Sequence, residues 1–170
     1  MNSNKNLVFL GMMGSGKSSI GKLVSKELNL PFIDIDSLIV ENAEMSISQI
    51  FEKRGEIYFR NLEEKITLRS LKEIKSVIAL GGGAFINDKI RKKILTDHFS
   101  FWLNWDELIL TKRIKGSKKR PLAFESTDQE IRKMIKNRSK IYAKSNFKIN
   151  CNKLTKTEIV KKVIKIYELN

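Results

Sequence analysis

Cysteine and histidine are nearly absent from this sequence. Its 170 residues include one cysteine, Cys151, and one histidine, His98. A single cysteine cannot form an internal disulfide. One cysteine and one histidine are also too few ligands for a Cys/His zinc site. Any chemistry that the protein performs therefore uses other side chains.

Long apolar runs and a secretory signal are also missing. The longest stretches without charge, residues 6–16 and 76–87, are far shorter than the roughly 20 apolar residues of a membrane helix. Lys5 alone precedes a short apolar run that leads into glycines, and no small-residue cleavage site follows. We therefore expect a cytoplasmic protein with no membrane partner, folded as a single domain over residues 1–170.

Acidic residues are few relative to basic ones. The sequence has 33 Lys and Arg against 19 Asp and Glu, a net charge of +14. Such an excess is typical of proteins that bind nucleic acids, membrane surfaces or anionic small molecules. The lysines, however, are scattered from Lys5 to Lys165, and Ile and Asn are abundant, which favours a compositional bias. We expect no nucleic-acid partner.

Short apolar runs alternate with segments of helical periodicity along the chain. The runs are continuous rather than alternating, which indicates a parallel sheet covered on both faces and hence an α/β fold. A helix over 56–72 is predicted from Ile57, Phe59, Leu62, Ile66 and Leu71. Residues 115–127 fit neither period, and we interpret them as a mobile lid. The predicted strands are 6–10, 31–34, 76–80, 99–103 and 147–150, and the other predicted helices are 18–28, 36–40, 46–55, 87–95, 106–114, 128–142 and 155–169.

Residues 11–18 read GMMGSGKS, the G-x-x-x-x-G-K-[ST] pattern of a phosphate-binding P-loop. The motif lies between a predicted strand and a predicted helix, as its mechanism requires. The glycines allow backbone N–H groups and the helix N-terminus to face an anion. Lys17 would reach the outer phosphates, and the Ser18 hydroxyl would ligate Mg²⁺.

Phosphoryl transfer also needs a carboxylate near the metal, and the FIDID segment at residues 32–36 supplies it. Asp34 closes the predicted strand, whereas the strand at 76–80 runs into glycine. Asp36 lies two residues later and would face the same crevice at the carboxyl edge of the sheet. A plain helix cap is the alternative interpretation of Asp36.

Weaker signals come from three glycines and three arginines. Gly81, Gly82 and Gly83 follow a buried strand, so their backbone can approach a ligand, although a tight turn is equally consistent. Arg60 and Arg138 lie in predicted helices, where each is either a carboxylate clamp or a solvated charge. Arg120 lies in the predicted lid, from which an arginine can reach a transferred phosphate.

Taken together, the motifs resemble those of shikimate kinases over most of the chain. The resemblance implies a five-stranded parallel sheet of order 2-3-1-4-5 and transfer of the ATP γ-phosphate to the 3-hydroxyl of shikimate, a step of chorismate and aromatic amino acid biosynthesis. The shared motifs are GMMGSGKS at 11–18, FIDID at 32–36, GE-x-x-FR at 55–60, LGGG at 80–83, RPL at 120–122, and Arg138 ahead of Ile141-Tyr142.

The same resemblance implies a role for each matching residue. Asp34 would support Mg²⁺ together with Ser18, and Asp36 would bind the shikimate hydroxyls and accept a proton. The implied catalytic residues are Lys17, Asp36 and Arg120. The implied ATP-binding residues are Gly14, Ser15, Gly16, Lys17, Ser18, Ser19, Arg113 against adenine, and Arg120. The implied shikimate-binding residues are Asp36, Arg60, Gly81, Gly82, Gly83 and Arg138.

Two other functions share parts of this pattern. A gluconate kinase would have an identical P-loop, although Arg60 and the triple glycine argue against it. A basic nucleic-acid-binding ATPase would explain the charge, but the sequence has no basic stripe interleaved with aromatic residues. We expect a monomer that uses ATP, shikimate and Mg²⁺.

Overall fold

Five parallel strands form one sheet in the computed structural model, which describes residues 4–116 and 126–170. The strand order is β2-β3-β1-β4-β5, and every neighbouring pair is parallel. Both the α/β class and the predicted order 2-3-1-4-5 are confirmed. The strands are β1 Leu7–Leu10, β2 Phe32–Asp34, β3 Val77–Ala79, β4 Phe99–Asn104 and β5 Phe147–Asn150.

Seven α-helices and a short 3₁₀ helix, Ala84–Ile86, accompany the strands in the described part of the chain, and the last α-helix follows β5. The two predicted helices on either side of Gly55 run as one element, α3, with a break at Gly55, where φ is 78° and ψ is 171°. The helices are α1 Lys17–Leu28, α2 Ile35–Ala43, α3 Ile47–Ser70, α4 Asp88–Asp97, α5 Glu107–Lys115, α6 Asp128–Tyr142 and α7 Lys156–Glu168.

The central strand β1 is buried on both faces. Val8 and Leu10 belong to the core on the side of α2, α3, α4, α5 and α6. Leu7 and Phe9 point to the opposite side, where α1 and α7 cover the sheet. All four side chains are fully buried, which explains why the run is apolar without alternation.

The sheet brings segments that are distant in sequence to one edge. Phe9 of β1 and Asp34 of β2 both pair with Ala79 of β3. The segments that leave β1, β2 and β3 therefore emerge side by side at the carboxyl ends of the strands, where open α/β sheets bind ligands. These segments are the P-loop, the start of α2 and the triple glycine.

The structure corrects one prediction at the start of α2. The helix is capped by Asp34, whose Oδ1 accepts a hydrogen bond from the Ser37 backbone N–H at 3.1 Å, and not by Asp36. Asp36 lies inside the first turn of the helix. Its carboxylate does not cap the helix and lies beside Gly81, at the crevice.

The predicted lid over residues 115–127 is described at its two ends. Helix α5 ends at Lys115, and Thr127 caps α6 with a reciprocal hydrogen-bond pair to Glu130. Residues 117–125, including Arg120, lie outside the described residues, so the lid remains a prediction. Within the described ranges, no helix has both the length and the apolar character needed to cross a membrane.

Candidate active site

The P-loop wraps around the start of α1. Gly14 and Gly16 have φ angles of 81° and 91°, a left-handed conformation that glycine adopts without strain. The Lys17 side chain is 8% exposed, and its Nζ donates hydrogen bonds to the carbonyl oxygens of Gly11 at 2.9 Å and Met12 at 3.0 Å. The ammonium group therefore lies inside the loop, at the positive end of the helix.

Ser18 and Asp34 form a polar pair beside the loop. Ser18 Oγ donates a hydrogen bond to Asp34 Oδ2 at 2.5 Å, while the other carboxylate oxygen caps α2. A hydroxyl and a carboxylate are the hard oxygen donors that Mg²⁺ prefers. In the described ranges no group of three or more His, Cys, Asp or Glu side chains assembles into a metal site. The pair fits a Mg²⁺ that takes its remaining ligands from phosphates and water.

Arg60, which is half-buried, forms an ion pair with the buried Glu63 on α3. Arg60 Nη1 lies 2.6 Å from Glu63 Oε2, and Arg60 Nε lies 3.3 Å from Glu56 Oε1. Glu63 is 3% exposed, and its Oε1 has no hydrogen-bond partner in the described part of the protein. Burial raises the pKa of the Glu63 carboxyl, while Arg60 opposes that shift. The pair holds the Arg60 guanidinium in one orientation.

The triple glycine leaves space for these charged side chains. A Cβ atom built on Gly81 would lie 2.5 Å from Glu63 Oε1 and 2.7 Å from Asp36 Oδ1. A Cβ on Gly83 would overlap the Arg60 guanidinium. Any side chain at either position would displace the cluster. The structure therefore brings Asp36, Arg60 and the glycines together, with clearance as a packing reason for glycine.

Arg138 and Tyr142 approach the glycines from α6. The Tyr142 hydroxyl donates a hydrogen bond to the Gly82 carbonyl oxygen at 2.5 Å. Burial raises the pKa of Tyr142 to about 12, although the nearby Arg138 opposes this. Arg138 Nη1 is buried and has no hydrogen-bond partner among the described residues. A buried guanidinium N–H without a partner is costly, so this group suits an acceptor supplied from outside the protein.

A cavity of about 300 Å³ lies on the other side of the P-loop. Trp105 and Arg113 stand at this cavity in contact with each other: the Arg113 guanidinium lies 3.9 Å from the centre of the Trp105 ring. The cavity continues from the phosphate-binding backbone, as a nucleotide site requires. Its lining includes the predicted ATP-binding residues Gly14, Ser15, Gly16, Ser19 and Arg113.

Sequence reasoning missed three residues of this region. Glu63 lies three residues after Arg60 on one helix, a spacing at which opposite charges pair. The sequence could therefore have predicted its ion pair with Arg60. Tyr142 follows Arg138 by one helical turn and received no role. Trp105 is a single aromatic residue after a strand, and no periodicity marks it.

The comparisons with known proteins agree on one family. The shikimate kinase family model matches residues 13–168. The shikimate kinase of Thermodesulfovibrio yellowstonii is 38% identical over 165 residues, which cover 96% of this chain and 95% of the relative. This extent of agreement also decides against the gluconate kinase alternative.

Two solved structures match as well. A shikimate kinase from Acinetobacter baumannii in complex with shikimate superposes with a TM-score of 0.92 at 26% identity, covering 98% of this chain and 94% of that one. The shikimate kinase from Aquifex aeolicus gives a TM-score of 0.85 at 36% identity, with 96% of each chain covered. The fold and the order of motifs thus agree with the family model, and the chain belongs to the shikimate kinase family.

Proposed function

We propose that this protein transfers the γ-phosphoryl group of ATP to the 3-hydroxyl of shikimate, giving shikimate 3-phosphate and ADP. The observation that carries this proposal is the cluster of Asp36, Arg60 and Arg138 around the triple glycine, directly beside a P-loop. A substrate with one carboxylate and several hydroxyls matches two guanidinium groups and an acceptor carboxylate. The P-loop would bind the phosphates of ATP.

Arg60 and Arg138 would bind the shikimate carboxylate. Glu63 holds Arg60 at 2.6 Å before substrate arrives, so less side-chain freedom is lost on binding. The buried Nη1 of Arg138 has no partner in the described part of the protein, and a carboxylate oxygen would satisfy it. Two arginines on different helices would thereby fix both the position and the direction of the substrate.

Asp36 would orient the reacting hydroxyl. Its Oδ1 lies against Gly81 at the edge of the sheet where the P-loop also ends. The hydroxyl oxygen attacks the γ-phosphorus, the bond to the β,γ-bridging oxygen breaks, and the hydroxyl proton passes to Asp36. Most of the rate comes from positioning and from charge neutralisation, for which Lys17 is the group at the phosphates.

Ser18 and Asp34 would hold Mg²⁺ with the ATP phosphates. The fit rests on their hard oxygen atoms, 2.5 Å apart beside the loop. When bound, the ion neutralises phosphate charge and orients the β- and γ-phosphates. The Asp34 carboxylate has two roles, since its other oxygen caps α2.

We also propose that the protein works as a cytoplasmic monomer without a nucleic-acid partner. Its use of ATP supports that location, and the scattered lysines support a compositional origin of the +14 charge. Binding to a phosphate backbone would show a steep salt dependence. Titration with labelled DNA and RNA at about 0.15 M salt tests the absence of a nucleic-acid partner, and saturable submicromolar binding there would contradict it. Sedimentation tests the monomeric state, which a dimer in solution would contradict.

The proposed function is tested by a coupled ADP-release assay with ATP, Mg²⁺ and a panel of acceptors. Shikimate should support turnover, whereas quinate, gluconate and nucleoside monophosphates should support little. Lys17→Ala is the matched inactive control, because its ammonium group lies inside the P-loop. Equal turnover with gluconate, or none with shikimate, would overturn the proposal.

A further inference from the structure

The nucleotide-side cavity has two chemically different ends. One end is the P-loop backbone at Gly14, Ser15 and Gly16. The other end is formed by the apolar side chains of Leu154 and Ile159 together with Trp105. Phosphates bind at the first end through N–H groups, so the base of the same nucleotide would occupy the second.

Trp105 and Arg113 are both tied to the P-loop. The indole Nε1–H of Trp105 donates a hydrogen bond to the Ser15 carbonyl oxygen at 2.8 Å. Arg113 Nη1 donates a longer one to the Gly14 carbonyl oxygen at 3.4 Å. With its guanidinium 3.9 Å from the centre of the Trp105 ring, Arg113 is held by an aromatic face as well as by the loop.

Without these contacts, Arg113 would be an exposed and flexible side chain in the last turn of α5. Immobilising a side chain of this length costs affinity each time a ligand binds. Stacking on an indole orders the guanidinium plane before the nucleotide arrives.

We propose that Trp105 is a positioning residue for the nucleotide base: at the apolar end of the cavity its indole holds the Arg113 guanidinium flat, and the base binding there contacts that guanidinium. This inference rests on the proposed use of ATP but not on the identity of the phosphate acceptor. Trp105 thereby sets base affinity through Arg113, while the phosphates are bound by the P-loop.

Calorimetric titration with ADP and with inorganic tripolyphosphate, both without shikimate, separates the base from the phosphates. Trp105→Leu should weaken ADP binding about fivefold to twentyfold, the range expected for loss of a cation–π platform, and should leave tripolyphosphate binding within about twofold. Trp105→Phe keeps an aromatic face but loses the indole N–H, and should stay within about threefold of the wild type for ADP. Leu108→Ala, an exposed change on α5, is the matched control.

Two outcomes would overturn the inference. Equal weakening of ADP and tripolyphosphate by Trp105→Leu would mean that the residue supports the P-loop as a whole. A Trp105→Phe variant as weak as Trp105→Leu would mean that the hydrogen bond to Ser15 carries the effect. If Trp105→Leu does not fold, Trp105→Met, whose unbranched and flexible side chain adapts to the vacated space without supplying a ring, takes its place.

A double-mutant cycle tests whether Trp105 and Arg113 act as one unit. Arg113→Lys keeps the charge but cannot stack as a plane. The double variant, with Trp105→Leu and Arg113→Lys, should bind ADP within about twofold of whichever single variant binds ADP more weakly. Fully additive losses would show that the two side chains act independently and would reject the stacking arrangement. Because no acceptor is present, failure of shikimate turnover would not alter this result.

Discussion

The Tyr142 hydroxyl donates a 2.5 Å hydrogen bond to the carbonyl oxygen of Gly82, joining α6 to the glycine segment after β3. Tyr142 is 1% exposed, and its hydroxyl also lies 3.7 Å from Met12 Sδ in the P-loop. Arg138 stands one helical turn earlier on α6. One phenol thus fixes the distance between the glycines and the helix that carries Arg138.

Tyr142→Phe should weaken shikimate binding while sparing ATP. The change leaves the partly buried Gly82 carbonyl without its partner, so we expect a stability loss of about 1–3 kcal/mol in denaturant unfolding. The KM for shikimate should rise about threefold to tenfold because the glycine segment and α6, which carries Arg138, lose the hydrogen bond that joins them. Tyr167→Phe, on the opposite face of the sheet, is the control. Equal rises in both KM values would indicate a general packing defect instead.

Arg60→Lys and Arg138→Lys should each weaken shikimate binding although the charge is kept. Lysine cannot reproduce the planar fork that binds a carboxylate through two N–H groups. The loss should be about 1.5–3 kcal/mol per charge-assisted contact, or roughly tenfold to a hundredfold in affinity, measured by shikimate titration. Arg132→Lys on α6 serves as the matched control. If neither site variant differs from it, these arginines are not the clamp.

Lowering the pH should weaken shikimate binding through Glu63. Burial raises the pKa of this carboxyl above 4.5, so it takes up a proton at pH values where an exposed glutamate stays charged. Protonation removes the charge that orients Arg60. The shikimate KM should therefore rise as the pH is lowered from neutral toward the raised pKa of Glu63. In Glu63→Gln the shikimate KM should be higher at pH 7 and should change less with pH. Protonation of shikimate itself affects both proteins equally, so the difference between the two profiles reports on Glu63. Parallel pH profiles would refute this role of Glu63.

Asp34→Asn should separate the metal role of Asp34 from its capping role. Asparagine caps helices as well as aspartate does, so the melting temperature should change little. The lost charge beside Ser18 should raise the Mg²⁺ concentration for half-maximal activity roughly tenfold, measured at saturating ATP. Asp106→Asn, a change at the cap of α5, is the control. An unchanged Mg²⁺ requirement would place the metal elsewhere.

The strands were predictable from sequence because each central strand is buried on both faces and therefore reads as an apolar run. The P-loop was predictable because its mechanism needs glycine, lysine and serine at fixed spacing. The strand order followed from the family resemblance rather than from the apolar pattern. The strands and the P-loop thus depend on local sequence, whereas the strand order does not.

Other features depend on tertiary contacts that periodicity does not show. Ile57 is 80% exposed, although it belonged to the predicted apolar set, because it lies on the opposite side of α3 from the buried Phe59. Glu63 resembles a solvated helix charge until the glycine segment covers it. Asp34 rather than Asp36 caps α2, a difference of two residues that only the backbone direction after β2 decides.

The glycine segment and the P-loop run against each other without an intervening side chain: a Cβ built on Gly82 would lie 3.2 Å from the Met13 backbone nitrogen. In the proposed function each of these segments serves a different substrate. We therefore expect a ligand-induced shift of one backbone to move the other. Thermodynamic linkage then requires reciprocity: the factor by which ADP changes the affinity for shikimate equals the factor by which shikimate changes the affinity for ADP.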